Sequence, residues 1–179
     1  MKRKKPGFTL VEMIIALALT VTILGIASSM FITGNKVFSE SDVKSTLQIE
    51  GQAIQEKISD IGMQAIEIKS VNVNNVTNEI NMVISSYGKD GNLKDFKIET
   101  IDTKKNYKDT SKIYELRIND ALISSNIKSF TIDNSIITAN INNTLKTINS
   151  IEFNISLRKE KAYGDTDYMI KFKTAFRNK

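Results

Sequence analysis

The sequence predicts an α+β chain, one long N-terminal α-helix packed on a C-terminal antiparallel β-sheet, and three patterns predict it. No side chain from Met13 to Asn35 ionises. Val43, Leu47, Ile54, Ile58 and Ile61 then share a narrow arc at the helical repeat of about 100° per residue. Beyond about Val71 the apolar residues alternate with polar ones, the period of half-buried strands.

The first element starts behind a basic cluster, Lys2, Arg3, Lys4 and Lys5, followed by Pro6-Gly7-Phe8. The apolar core from Met13 to Ile32 has the length a helix needs to cross the hydrocarbon of a bilayer. Four cations precede this span, and a mixed group of Lys36, Glu40, Asp42 and Lys44 follows it. That asymmetry orients the N-terminus to the cytoplasm and the C-terminal part outside. A secretory signal cut after Ala27 is the competing reading. It is disfavoured because the run continues through Met30-Phe31-Ile32 and carries an acid, Glu12, at its start.

The only proline is Pro6, so nothing breaks the spanning helix before the amphipathic stretch, which is expected to continue it to about Gly62. Lys44, Gln48, Gln52, Glu56 and Ser59 occupy the polar side of that stretch. Period-two patterning is clearest over Ile151 to Arg158 and Tyr168 to Phe176. Further strands are expected over Ile80 to Tyr87, Asp95 to Ile101, Lys112 to Ile118, Ile127 to Asp133 and Ser135 to Ile141. Turn chemistry lies between them at Asp90-Gly91, Asn119-Asp120, Asp133-Asn134 and Gly164-Asp165. Helix and sheet each offer one apolar face, and each face can be buried on the other.

Composition narrows the chemistry. The 179 residues are 41% apolar and 25% charged, which suits a folded chain rather than a disordered one. There is neither cysteine nor histidine, so thiolate catalysis, the commonest general base and the commonest zinc ligands are all missing. Of the net charge of +5, the four cations of the N-terminal cluster supply four. The remainder is nearly neutral, so no direct nucleic-acid binding is expected. Lys104-Lys105 and Arg158-Lys159 are short charge pairs without interleaved aromatics, and read as solvated faces. Asp90, Asn92 and Asp95 around Gly91 suggest a hairpin turn. The spacing fails for a calcium loop, and the bidentate Glu of an EF-hand is missing.

The segment Gly7-Phe8-Thr9-Leu10-Val11-Glu12, preceded by Lys4-Lys5-Pro6 and followed by the apolar run, closely resembles the prepilin cleavage signature. Type IV pilins, type II secretion pseudopilins and competence pseudopilins carry it. The chemistry of the residues is consistent with cleavage. Gly7 lets a peptidase approach the backbone, and Pro6 disfavours helix before the bond. The resemblance implies that a membrane prepilin peptidase cuts between Gly7 and Phe8 and N-methylates the new Phe8 amine. It divides the chain into a leader peptide (1–7), a transmembrane helix segment (8–33), its amphipathic continuation (34–66) and an extracytoplasmic β-rich domain (67–179).

Glu12 is the only ionisable group between Gly7 and Asn35, where a carboxylate costs about 2.5–3.5 kcal/mol at mid-bilayer and less near the edge. In the family this acid is thought to pair with the N-terminal amine of a neighbouring subunit, and snorkelling to the headgroups is the alternative. Gly25 and the hydroxyls of Thr20, Thr22, Ser28 and Ser29 are suited to close helix packing or local loosening. Many major pilins carry a proline further along this helix, where this chain reads Ser28-Ser29-Met30. The ending Lys173-Thr174-Ala175-Phe176-Arg177-Asn178 is similar to the last strand of PilW-type minor pilins and the pseudopilin J group.

The expected function is therefore a non-enzymatic subunit, a minor pilin or pseudopilin of a type IV pilus or a related secretion or competence filament. It is membrane-inserted first and filamentous afterwards. Its expected partners are a prepilin peptidase, other pilin or pseudopilin subunits, a membrane assembly platform and the lipid bilayer. No cofactor or metal is expected. The alternative is a membrane-anchored binding or adhesion module that does not polymerise.

Overall fold

The computed structural model describes residues 7–74, 79–141, 145–161 and 164–176. It divides into two compact units, Met1–Ser41 and Asp42–Lys179. The helix α1 (Leu10–Met63) begins in the first unit and ends in the second. Seven strands follow: β1 (Ala65–Asn74), β2 (Glu79–Tyr87), β3 (Leu93–Asn106), β4 (Lys112–Ile118), β5 (Ala121–Ile132), β6 (Ser150–Lys161) and β7 (Gly164–Ala175). All neighbours are antiparallel and the spatial order is the chain order, so the sheet is a simple meander. Between β5 and β6 lie a short helix α2 (Asn134–Ile141) and a 3-10 turn (Leu145–Thr147).

Within the second unit, α1 buries Val43, Leu47, Gly51, Ile54, Ile58, Ile61 and Gly62. This is the predicted stripe, and each large apolar member contributes about 1.5–3 kcal/mol. Its partners are the inward residues of the sheet, including Met82, Ile84, Ile98, Leu116, Ile127, Ile155 and Ile170. Phe153 sits among them, stacked on Phe172 at 5.2 Å and edge-on to Phe130 at 5.9 Å. Two glycines let the helix approach the sheet. A Cβ on Gly51 would meet Ile170 Cδ1 at 2.6 Å, and one on Gly62 would meet Thr174 Cγ2 at 2.4 Å. The Ser86 hydroxyl donates to the Ile61 carbonyl at 2.7 Å, which satisfies an acceptor in the last turn of the helix.

Most expected strands are found, several of them longer than the alternation indicates. The main correction concerns Ser135 to Ile141, which belongs to α2 rather than to a strand. Asp133 caps it: its side chain accepts from Ser135 N at 3.1 Å, and its carbonyl accepts from Ile136 N at 3.1 Å. The Asp133-Asn134 pair starts a helix, so β-branched Ile and Thr follow a cap here instead of a turn. The helix stops at Met63, next to the expected Gly62, and residues 65 and 66 of the expected 34–66 continuation belong to β1.

Asn119 and Asp120, both with positive φ (48° and 64°), form the tight β4–β5 turn that was expected. Asn119 also extends the ladder, accepting from Lys97 N through its side chain at 2.7 Å and donating its own N–H to the Lys97 carbonyl at 2.9 Å. Gly91, with φ 74°, closes the β2–β3 turn. Gly164 and Asp165 are in β7 rather than in a turn, because Gly164 pairs directly with Lys161.

Candidate functional site: the N-terminal segment of the helix

The predicted cleavage site lies immediately ahead of the helix. Gly7 and Phe8 belong to no regular element and both are exposed, Phe8 at 86%. A Cβ added to Gly7 would meet no atom within 4 Å, and Gly7 has no positive φ. Nothing among the described residues requires glycine at that position. Lys2, Arg3, Lys4 and Lys5 lie outside the described residues, as do Arg177 and Asn178 of the terminal pattern.

Thr9 and Glu12 form a reciprocal cap on the first turn. The Glu12 Oε2 atom accepts from Thr9 N at 2.8 Å and from the Thr9 hydroxyl at 2.9 Å, while Glu12 N donates back to Thr9 Oγ1 at 3.3 Å. This is a capping box, Thr at N-cap and Glu at N3, which satisfies backbone donors that the helix leaves open. Thr9 is the site residue that sequence reading passed over. The Thr-x-x-Glu spacing ahead of an apolar run was its signal. Glu12 thus has a structural partner within its own chain, and only Oε2 is engaged by these bonds.

Beyond the cap, the apolar residues of α1 face outward on every side. Leu17, Leu19, Val21, Ile23, Leu24 and Ile26 are all more than half exposed, and no part of the apolar window is buried within the molecule. A helix apolar all round is buried in something other than its own chain. The hydroxyls do not contradict this reading. Thr20 donates to the Ala16 carbonyl at 2.8 Å and Thr22 to the Ala18 carbonyl at 2.9 Å, so neither needs water. These two hydroxyls are engaged within the helix, and a Cβ on Gly25 would meet nothing within 4 Å.

Elsewhere, several carboxylates already have partners. Asp90 accepts from Asn92 and Lys94, and Lys94 first, then Asn92, hold its carboxyl down to about 2. Asp95 bonds Lys69 and Ser85, and Asp102 bonds Lys112. These pairings lower both carboxyls. The suggested calcium-loop residues are therefore occupied by lysines and amides in a hairpin. Arg158 joins Asp109 to Asp167 and lies over the Tyr107 ring at 5.5 Å. Burial pushes the Tyr107 hydroxyl up to about 12, and that hydroxyl donates to the Arg158 carbonyl at 3.0 Å. Among the described residues no three acidic side chains gather as a metal site.

Residues 2–31 match the family model of the prokaryotic N-terminal methylation motif. The match takes in the basic cluster, Gly7, Phe8, the capping box and most of the apolar run. No curated protein and no solved structure matches the chain.

Proposed function

We propose that this type IV pilin-like prepilin is a structural, non-enzymatic filament subunit, a minor pilin or pseudopilin, cut between Gly7 and Phe8 and assembled through α1. The observation that carries the reading is a coincidence on one helix. The segment matching the methylation motif has an exposed scissile position at its start and an apolar surface with no partner in its own chain. An anchor that must leave lipid for a filament core needs such a surface, because both environments are apolar. The four N-terminal cations support an orientation with residues 1–7 in the cytoplasm and the sheet domain outside.

The test is the N-terminus of the membrane-bound product, measured by intact mass with and without a co-expressed prepilin peptidase. A peptidase-dependent start at Phe8 is expected. A product that keeps Met1, or one that starts at Ser28, would overturn the proposal. Glu12→Ala separates assembly from processing: cleavage is expected to persist while the subunit disappears from sheared filaments, and unchanged incorporation would exclude an assembly role for the carboxylate.

A further inference from the structure

The two edges of the sheet are built differently. At β1 the pairing with β2 is broken by two register shifts, between Ala65 and Glu67 and between Ile68 and Ser70. The insertion made by α2 and the 3-10 turn packs against β1, and the Asn140 side chain donates to the Val71 carbonyl at 2.7 Å. Bulges and a covering segment are the usual means of blunting an edge. At β7 neither is present among the described residues. Its ladder with β6 runs without a shift from Ser150↔Ala175 to Lys161↔Gly164, and β6 is its only partner in the sheet. No other backbone bond engages the outer side of β7 among the described residues.

The outward side chains of β7 read Asp165, Asp167, Met169, Lys171 and Lys173, all exposed, with Met169 at 74%. This order is its own complement when reversed. Antiparallel pairing of two β7 strands about Met169 sets Asp167 opposite Lys171, Asp165 opposite Lys173, and Met169 opposite itself. On the inner face, Tyr168 comes opposite Ile170, an aromatic and β-branched pair of the kind that stabilises strand contacts.

We propose that β7 is a docking edge for a second copy of this chain, joined edge to edge across a two-fold axis at Met169. The blunted β1 edge stops further addition, so association ends at two. The axis stands perpendicular to the sheet, and α1 between Asp42 and Met63 lies on one face of that sheet, so the two α1 segments run in opposite directions. The pairing belongs to the domain and does not require that the chain polymerise.

The chain has no cysteine, so Met169→Cys introduces a single thiol. Antiparallel partners have Cα atoms about 4.5 to 5.5 Å apart, within the disulfide range of about 4.4 to 6.8 Å. The full chain in detergent, under mild oxidation, is expected to form the Met169→Cys dimer at least about tenfold faster than a Leu122→Cys control, also exposed, on β5. Adding Asp165→Lys or Lys173→Asp to the Met169→Cys chain places like charges opposite each other at both ends. Either change alone is expected to slow the reaction by about tenfold, and an equimolar mixture of the two is expected to restore it. Both sites are exposed, so neither change tests folding. Equal rates at Met169→Cys and Leu122→Cys, or a mixture no faster than its components, would overturn the proposal.

Discussion

The two stretches of α1 have the same backbone and opposite surroundings. From Leu10 to about Phe38 the apolar side chains are exposed whichever way they point, with Leu19 at 59% and Leu24 at 60%. From Val43 onward, apolar residues on one stripe are sealed: Leu47, Ile54 and Ile58 have no exposed surface, while Lys44, Gln48 and Gln52 face out. The second stretch is stabilised by its own chain. The first contributes nothing to that core, so its apolar character is maintained for a lipid or protein partner. Substitutions should therefore divide cleanly by region, those after Asp42 affecting folding and those before it affecting insertion, processing or assembly.

The largest expected effect is at Phe153, fully buried between Phe130 and Phe172. Phe153→Ala should destabilise the sheet domain by about 3–5 kcal/mol, the usual cost of emptying an aromatic core site. Leu19→Ala should leave the same denaturation midpoint unchanged. Urea unfolding of the full chain in detergent, followed by tyrosine fluorescence, compares them directly, and equal losses would remove the distinction between the two stretches.

Next come the glycines. Gly62→Ala drives a methyl into the buried Thr174 side chain, whose Cβ, Cγ2 and Oγ1 all lie within 3.0 Å of the new atom. A β-branched residue on a strand has little freedom to withdraw, and the expected loss is about 1–3 kcal/mol. At Gly51 the nearest atom is the tip of Ile170. That tip can rotate, and alanine regains about 1 kcal/mol of helix propensity. Gly51→Ala should consequently cost less than Gly62→Ala, and Gly25→Ala, in open space, should not move the domain midpoint. A Gly51→Ala loss exceeding that of Gly62→Ala would show that Thr174 yields more readily than Ile170.

These residues also show what the sequence made legible and what it hid. The stripe on α1 was readable because helical period and burial coincide at Val43, Leu47, Ile54, Ile58 and Ile61. Gly51 and Gly62 belong to the same stripe, but a glycine carries no hydrophobic signal, so the points of closest approach were invisible. β1 was obscured for a different reason. Its two register shifts place the buried residues Ala65, Ile68 and Val71 three apart, a spacing that resembles a helix more than a strand. At α2 the alternation of Ser135-Ile136 was real, but it followed a cap, and the buried Ile136 is served equally well by one helical face. The motif holding Gly7, Phe8 and Glu12 was legible because it is a matter of residue type and spacing and does not depend on packing. The Thr9–Glu12 box was legible too, in the Thr-x-x-Glu spacing ahead of the apolar run.

The cap gives a smaller effect, confined to one end. Thr9→Ala removes a bond to the Glu12 carboxylate and the acceptor for Glu12 N. The expected cost is about 0.5–2 kcal/mol, local to the first turn. Amide exchange in detergent should accelerate from Leu10 to Met13 and remain unchanged from Asp42 onward. Acceleration that spread into the domain would mean that the two stretches of α1 fray together.

The smallest effect is electrostatic and lies where the β3–β4 loop meets β6 and β7. Ser111, through its hydroxyl and its N–H, and then Arg158 hold the Asp109 carboxyl well below the usual carboxylate range. Burial pushes the Asp167 carboxyl up, but Arg158 and Lys128 outweigh it and the net direction is down. A carboxyl depressed in the folded state favours folding above its unfolded value of about 3.9 and loses that contribution as pH falls through the folded one. The domain should therefore soften below about pH 4 as the β3–β4 loop loses its hold on β6 and β7. Asp109→Asn removes one of the titrating groups. Its urea midpoint should lie slightly below that of the parent at pH 7, and the gap should narrow as the pH falls below about 4. Exposed ion pairs are screened, so salt should narrow the gap at pH 7. Two curves that stay parallel at every pH would assign the loop's attachment to Tyr107 and its bond to the Arg158 carbonyl, leaving the charges without a role in stability.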